Sequence, residues 1–191
     1  MVPSICVALN GPPGIGKDTL AKMLADLNTM QGVRVEALAA MIKERAADYY
    51  GIPNLAQLAT ERETKDTLVP EWMVTPRDLV IHYSENVVKP LHGKDIWAKK
   101  FAKLLAGEKL AIMTDLGFQE EVRELSKVFD QVLIVQLHEE GFDFSQDSRG
   151  YVDAVYPNVS LQIVKTERGH PHTAVQQIAQ RVQAVFEQQF R

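Results

Sequence analysis

The chain has 191 residues, the length expected of one domain with a sizeable core and room for a small insertion, and a multi-domain assembly is not expected. Its 21 Lys and Arg against 25 Asp and Glu leave a net charge of −4, so no global basic field draws in duplex nucleic acid and any bound anion must be held locally. The 46% hydrophobic and 24% charged fractions argue for a soluble globular protein over a disordered one, and no apolar run approaches the roughly 18 residues of a membrane span.

The first apolar run, Ile5-Cys6-Val7-Ala8-Leu9, reads as a buried strand. No basic segment precedes it and it stops at Asn10-Gly11-Pro12-Pro13-Gly14, so it does not read as a secretory leader, and a reducing cytosol is the expected location. Cys6, the only cysteine, excludes an intrachain disulfide and a Cys-based zinc cluster and reads as a core thiol.

Next comes Gly11-Pro12-Pro13-Gly14-Ile15-Gly16-Lys17-Asp18-Thr19, opening a helix whose apolar stripe is Leu20, Met23, Leu24 and Leu27. G-x-x-x-x-G-K between a strand and a helix is the context in which backbone N–H groups surround phosphate oxygens. The helix adds its positive N-terminal end, and Lys17 is placed to neutralise β- and γ-phosphates. A purely structural turn would leave that lysine at a helix N-terminus with no anion, a placement disfavoured by about 0.3–1 kcal/mol. The candidate phosphate-binding residues are therefore Gly11, Gly14, Ile15, Gly16, Lys17, Asp18 and Thr19. Where Ser or Thr usually follows the lysine and holds Mg²⁺, this chain has Asp18. A metal ligand, directly or through water, and an acidic helix cap are equally suited to it.

A second strand is expected over Val33–Leu38. The stretch from about Met41 to Gly107 then carries several helices, too many for one crossover. One has the stripe Leu79, Val80, Tyr83 and Val87, another Trp97, Phe101, Leu104 and Leu105; Lys94, Lys99, Lys100 and Lys103 read as the solvated side of the latter. Thr75-Pro76-Arg77-Asp78 places a capping Thr before a Pro at the first helical position. Arg77 then lies where the helix dipole opposes a cation, a conflict removed by a bound anion or, more plainly, by a nearby Glu partner.

The strand Lys109–Thr114 runs into Asp115. In a parallel sheet that end faces the ligand crevice, so Asp115 reads as an acid directed at Mg²⁺ or its water shell; an ordinary turn aspartate is the alternative. Phe118, Val122 and Leu125 mark a helix, Gln131–Leu137 and Val159–Val164 two more strands, and Val175, Ile178, Val182 and Val185 a last helix with a capping-box spacing at Thr173-Ala174-Val175-Gln176. Between them Glu139–Asp153 is polar, has Gly141 and Gly150 near its ends, and reads as a mobile loop whose Arg149 either closes over transferring phosphates or is simply solvated. His170-Pro171-His172 lacks the companion ligands of a metal site, and no Ser/His/Asp or paired-carboxylate arrangement can be assembled. Strands separated by helices mean a mainly parallel sheet covered on both faces.

Taken together, Gly11–Thr19 with its Gly-Lys-Asp-Thr ending, Leu38-Ala39-Ala40-Met41-Ile42-Lys43, Arg62-Glu63-Thr64-Lys65-Asp66, Thr75-Pro76-Arg77-Asp78-Leu79, and Thr114-Asp115 with Phe118 and Glu121 resemble the bacteriophage deoxynucleoside monophosphate kinases, within the P-loop nucleoside monophosphate kinase superfamily. The resemblance runs over most of the chain, and Thr-Pro-Arg beside Gly-Lys-Asp-Thr is its most specific part. It implies a single α/β domain over 1–191: a five-stranded parallel sheet flanked by helices, a helical insertion over 41–107 that takes the acceptor, and a short lid over 139–153. ATP and Mg²⁺ would bind at the phosphate loop, with Asp18 and Asp115 toward the metal. Lys43, Lys65 and Arg77 would meet the phosphate of a small nucleoside monophosphate, and Lys17, Asp115, Arg77 and Arg149 would carry the transfer. The family often has an arginine two residues after the strand-ending aspartate; here Gly117 stands there, leaving Arg149 or Arg123 to replace it. Animal-type phosphomevalonate kinase, and a non-catalytic nucleotide-binding regulator, are the competing readings. No nucleic-acid or membrane partner is expected; a homodimer, the base preference and the choice of ribo- or deoxyribonucleotide stay open.

Overall fold

The computed structural model describes residues 3–145 and 147–188. Five strands, β1 Ile5–Asn10, β2 Arg34–Glu36, β3 Leu110–Leu116, β4 Gln131–His138 and β5 Val159–Lys165, form one sheet in the order β2-β3-β1-β4-β5. Every pairing is parallel. All six residues of β1 are buried, as a central strand covered on both faces requires. On one side Ile5, Val7 and Leu9 share a core with Leu20, Ala21 and Leu24 of α1 (Lys17–Ala25) and with Val175, Ile178, Val182 and Val185 of the last helix. Cys6 is buried in this strand, and burial pushes its thiol up to about 12, which makes it an inert core group.

The chain divides into two compact units, Met1–Ala37 with Ala102–Arg191, and Leu38–Phe101. These bounds differ from the 41 and 107 set by strand spacing, because α2 already begins at Leu38. Leu38-Ala39-Ala40-Met41 are strong helix formers, so the strand expected over Val33–Leu38 shortens to Arg34–Glu36.

The second unit contains α2 (Leu38–Tyr50), α3 (Leu55–Leu58), α4 (Pro76–His82), α5 (Lys89–His92) and most of α6 (Ile96–Leu105). Its centre is Ala46, Ala47 and Leu55, against which Tyr50, Ile52, Trp72, Leu79, Val80 and Tyr83 pack. Thr75 caps α4 as expected: its Oγ1 accepts from the Asp78 N–H at 3.1 Å, and the Asp78 carboxylate accepts from the Thr75 N–H at 3.3 Å. A wide π-type turn over Tyr83–Val88 joins α4 to α5. It immediately precedes the turn containing Pro90, which has no N–H for the Asn86 carbonyl and whose ring would clash with an unwidened helix.

In the first unit, α7 (Gln119–Leu125) follows β3 and α8 (Pro171–Gln188) follows β5. The capping box expected at Thr173 is corrected: Pro171, with φ already set for a helix, starts α8 two residues earlier and leaves Thr173 inside it. Among the described residues no helix is long and apolar enough to cross a membrane.

Candidate functional site

The glycine-rich loop expected to bind phosphate leaves the carboxyl end of β1, and Gly16 enters α1 in the left-handed conformation, φ 92°, which a side chain at this position would strain. Ile15 is buried and packs into the core beneath, while Gly14, Asp18 and Thr19 are exposed on the loop and first helical turn. Lys17 is buried, and its ammonium donates to the carbonyls of Gly11 at 2.6 Å and Pro12 at 2.8 Å. The lysine is thus folded across its own loop. Burial, and then the charge of Arg149, lower its pKa to about 8, while Asp18, Asp115 and Asp147 pull the other way. A phosphate dianion placed in the loop would restore the missing compensation.

Asp115 lies on the adjacent strand, half-buried. The β1–β3 register jumps from Ala8↔Met113 to Asn10↔Leu116, so Thr114 and Asp115 together stand opposite Leu9. This bulge re-aims the end of β3 beside the phosphate loop. Asp115 is within electrostatic reach of Lys17, Arg149 and Glu121. The buried Glu121 carboxylate accepts from the N–H groups of Gly117 at 2.8 Å and Phe118 at 3.1 Å, closing the turn into α7. Burial raises its pKa to about 7 against those two hydrogen bonds, and Asp115 adds to the rise.

Arg149 reaches this group from the segment after β4. Its guanidinium is held by Asp147 through Nε at 2.9 Å and a terminal nitrogen at 2.6 Å, a bidentate pair largely removed from water. Its stem lies on Gly117: a Cβ there would stand 2.5 Å from Arg149 Cγ and 2.8 Å from its Cβ. Arg149 therefore fills the space above Gly117, whereas Arg123 pairs with Glu124 on α7 at 3.0 Å.

The expectation of a mobile loop over Glu139–Asp153 is corrected for its last residues, Gly150–Asp153. The Asn10 side chain bonds Gly150 and Val152, Gln136 Nε2 donates to Val152 O at 2.9 Å, and Gln119 exchanges two bonds with Asp153. Tyr151 donates to Leu137 O at 2.8 Å and stacks on His138 at 4.2 Å. A segment tied to two strand ends and a helix start is part of the scaffold. Asn10, Gln136 and Asp147 were not singled out by sequence reasoning. The first two were visible as polar residues in otherwise apolar strands; Asp147 left no signal.

In the second unit Arg77 Nε meets Asp66 at 2.8 Å, and the Arg77 N–H donates to Lys65 O at 3.1 Å. The cation at the start of α4 is thus balanced by an aspartate rather than the expected Glu, and Lys65, Asp66 and Arg77 are brought together. With 49% and 57% of the two side chains exposed, such a pair is worth only about 0–1 kcal/mol and is readily exchanged for a phosphate. Lys43 donates to Thr60 Oγ1 at 3.1 Å. Lys99 pairs with Asp95 at 3.0 Å on the outer side of α6, where Lys100 and Lys103 are also exposed.

No protein-family model matches the sequence, and neither does any curated protein. Solved structures do match. The crystal structure of APE1195 aligns over 97% of this chain and 98% of that one, with TM-score 0.53 and 17% identity. An unliganded sugar kinase from Janibacter sp. HTCC2649 aligns over 92% of each chain, with TM-score 0.51 and 15% identity. At such identities the likeness is one of fold. What the chain shares with these structures is the fold, a five-stranded parallel sheet flanked by helices, here with a glycine-rich loop and lysine after the central strand.

Proposed function

We propose that the protein transfers the γ-phosphoryl group of ATP to a (deoxy)nucleoside monophosphate, giving ADP and the nucleoside diphosphate. The observation that carries this reading is the buried Lys17 ammonium, lying across Gly11 and Pro12 with Asp115 and Arg149 in electrostatic reach. Phosphoryl transfer asks little covalent chemistry of side chains; it asks for alignment, charge neutralisation and exclusion of water. The N–H groups at the start of α1 and Lys17 would hold the β- and γ-phosphates. Arg149, anchored on Gly117, would meet charge developing on the transferring group.

Asp18 and Asp115 offer the hard oxygen donors that Mg²⁺ takes, and one or two carboxylates suffice where substrate phosphates and waters complete the shell. Bound there, the ion would neutralise phosphate charge. Among the described residues no group of three or more His, Cys, Asp or Glu converges as a metal site, so such an ion would depend on the nucleotide for much of its coordination.

The acceptor half rests on the resemblance to the bacteriophage deoxynucleoside monophosphate kinases and on the basic residues Lys43, Lys65 and Arg77 of the second unit, two of them joined at the start of α4. The test is ADP release from MgATP with each common ribo- and deoxyribonucleoside monophosphate, alongside phosphomevalonate, gluconate and simple hexoses. Turnover confined to the nucleotides supports the reading. Turnover confined to another acceptor leaves a P-loop kinase of different specificity, and nucleotide binding without turnover favours the regulatory alternative.

A further inference from the structure

Asn10 closes β1 with a side chain fully removed from solvent. Its amide nitrogen donates to Leu116 O and to Gly150 O, both at 2.9 Å, and its oxygen accepts from the Val152 N–H at 3.1 Å. Two of the partners, and Asn10 itself, lie next to a group of the proposed site. Leu116 follows Asp115, Gly150 follows Arg149, and Gly11, which follows Asn10 itself, accepts the bond from Lys17. One carboxamide thus ties together the residues that follow Asp115 and Arg149, and it precedes the residue whose carbonyl takes the Lys17 ammonium.

The placement answers a local need. The bulge at Thr114–Asp115 interrupts the β1–β3 register just before the site, and the segment 150–153 belongs to no strand. Without the Asn10 side chain, the buried Leu116 carbonyl and Val152 N–H and the part-buried Gly150 carbonyl would each lose a partner. Only a carboxamide of this length offers two donors and an acceptor in one plane. Aspartate lacks the donors, leucine lacks both, and serine is too short to span the three.

We infer that Asn10 is a positioning residue of the phosphotransfer site, holding Arg149 in register with the end of β3 and the Lys17 loop. The inference rests on the phosphotransfer reading given above. Asn10 touches no substrate in this role; it acts through Arg149, so removing either residue should expose the same loss.

The experiment is a double-mutant cycle of Asn10→Ala and Arg149→Ala, read by kcat, by KM for ATP, and by amide hydrogen exchange along the chain. Asn10→Ala is expected to lower kcat about tenfold or more with KM for ATP within about threefold, and Arg149→Ala in that background to cost less than about threefold further. The amides of 150–153 should exchange faster while those of β1 and β4 stay protected, a pattern a general loss of stability does not produce. Multiplicative effects of the two substitutions, or an Asn10→Ala protein with wild-type kcat, would overturn the inference. If Asn10→Ala does not fold, Asn10→Asp keeps the shape and the acceptor for Val152 while removing both donated bonds, and carries the same comparison. Should the wild-type protein turn over no acceptor at all, the phosphotransfer reading fails separately. Hydrogen exchange then decides the coupling alone, and unchanged protection of 150–153 in the variant would refute it.

Discussion

Replacing Gly117 by alanine adds one methyl group at the place where Arg149 crosses the end of β3. The backbone at Gly117 lies outside the left-handed region, so alanine fits it, and the consequence is purely steric. The new Cβ would stand 2.5 Å from Arg149 Cγ, whereas carbon atoms rest at about 3.5–4.0 Å, so the arginine stem must retreat by about 1 Å. If Arg149 meets the transferring group as proposed, a displacement of that size costs on the order of 100-fold, equivalent to about 2.7 kcal/mol of transition-state stabilisation. Gly117→Ala should therefore lower kcat by about one to two orders of magnitude while KM for ATP, set largely by the Lys17 loop, changes little. The assay is steady-state ADP release with the best nucleoside monophosphate. Its control is Arg149→Gly, which removes the stem: adding Gly117→Ala to that background should change nothing further. A Gly117→Ala enzyme with kcat within about twofold of wild type would mean that Arg149 does not act from where it stands.

Three further outcomes follow from the same geometry. Lys17 has a pKa lowered to about 8, so above that pH the unliganded site holds a neutral amine; phosphate raises the pKa again, and MgATP binding near pH 9 should take up protons and weaken as pH rises. Calorimetry in buffers of different ionisation enthalpy reads this directly, and a proton-neutral, pH-independent affinity from pH 7 to 10 would contradict it. Arg77→Ala should raise KM for the monophosphate or lower kcat with ATP affinity kept within a few-fold, and an equal loss of ATP affinity would move Arg77 to the donor side. Arg149→Ala should lower kcat at least about tenfold with both affinities little changed, and an unaltered kcat would make it a scaffold residue only.

What the sequence made legible and what it hid divide along physical lines. Val132-Leu133-Ile134-Val135 and Ile5–Leu9 announce strands buried on both faces, and Thr75-Pro76 announces a helix start, because burial and capping act over a few neighbouring residues. The glycine-rich turn from β1 into α1 is legible for the same reason, since glycines, lysine and helix start are contiguous. Leu38 was misread as strand because an aliphatic residue beside a short edge strand fits either element, and the alanines that follow decide it. The Arg149–Gly117 contact and the Asn10 bonds to Gly150 and Val152 join positions far apart in the chain, so no local pattern reveals them. The same holds for the pinned end of the loop after β4. Its glycines and polar residues read as mobility, while the bonds that hold it come from Asn10, Gln119 and Gln136 on other elements.

The central claim is that the Lys17 loop delivers a phosphoryl group to a nucleotide acceptor. It is tested most directly by following labelled γ-phosphate from ATP into product with wild-type protein and with Lys17→Ala, each with Mg²⁺ and with excess EDTA. The account predicts labelled nucleoside diphosphate from wild-type protein with Mg²⁺, and at least about a thousandfold less from Lys17→Ala or on chelation. Equal labelling by wild type and Lys17→Ala, or undiminished labelling in EDTA, would contradict it.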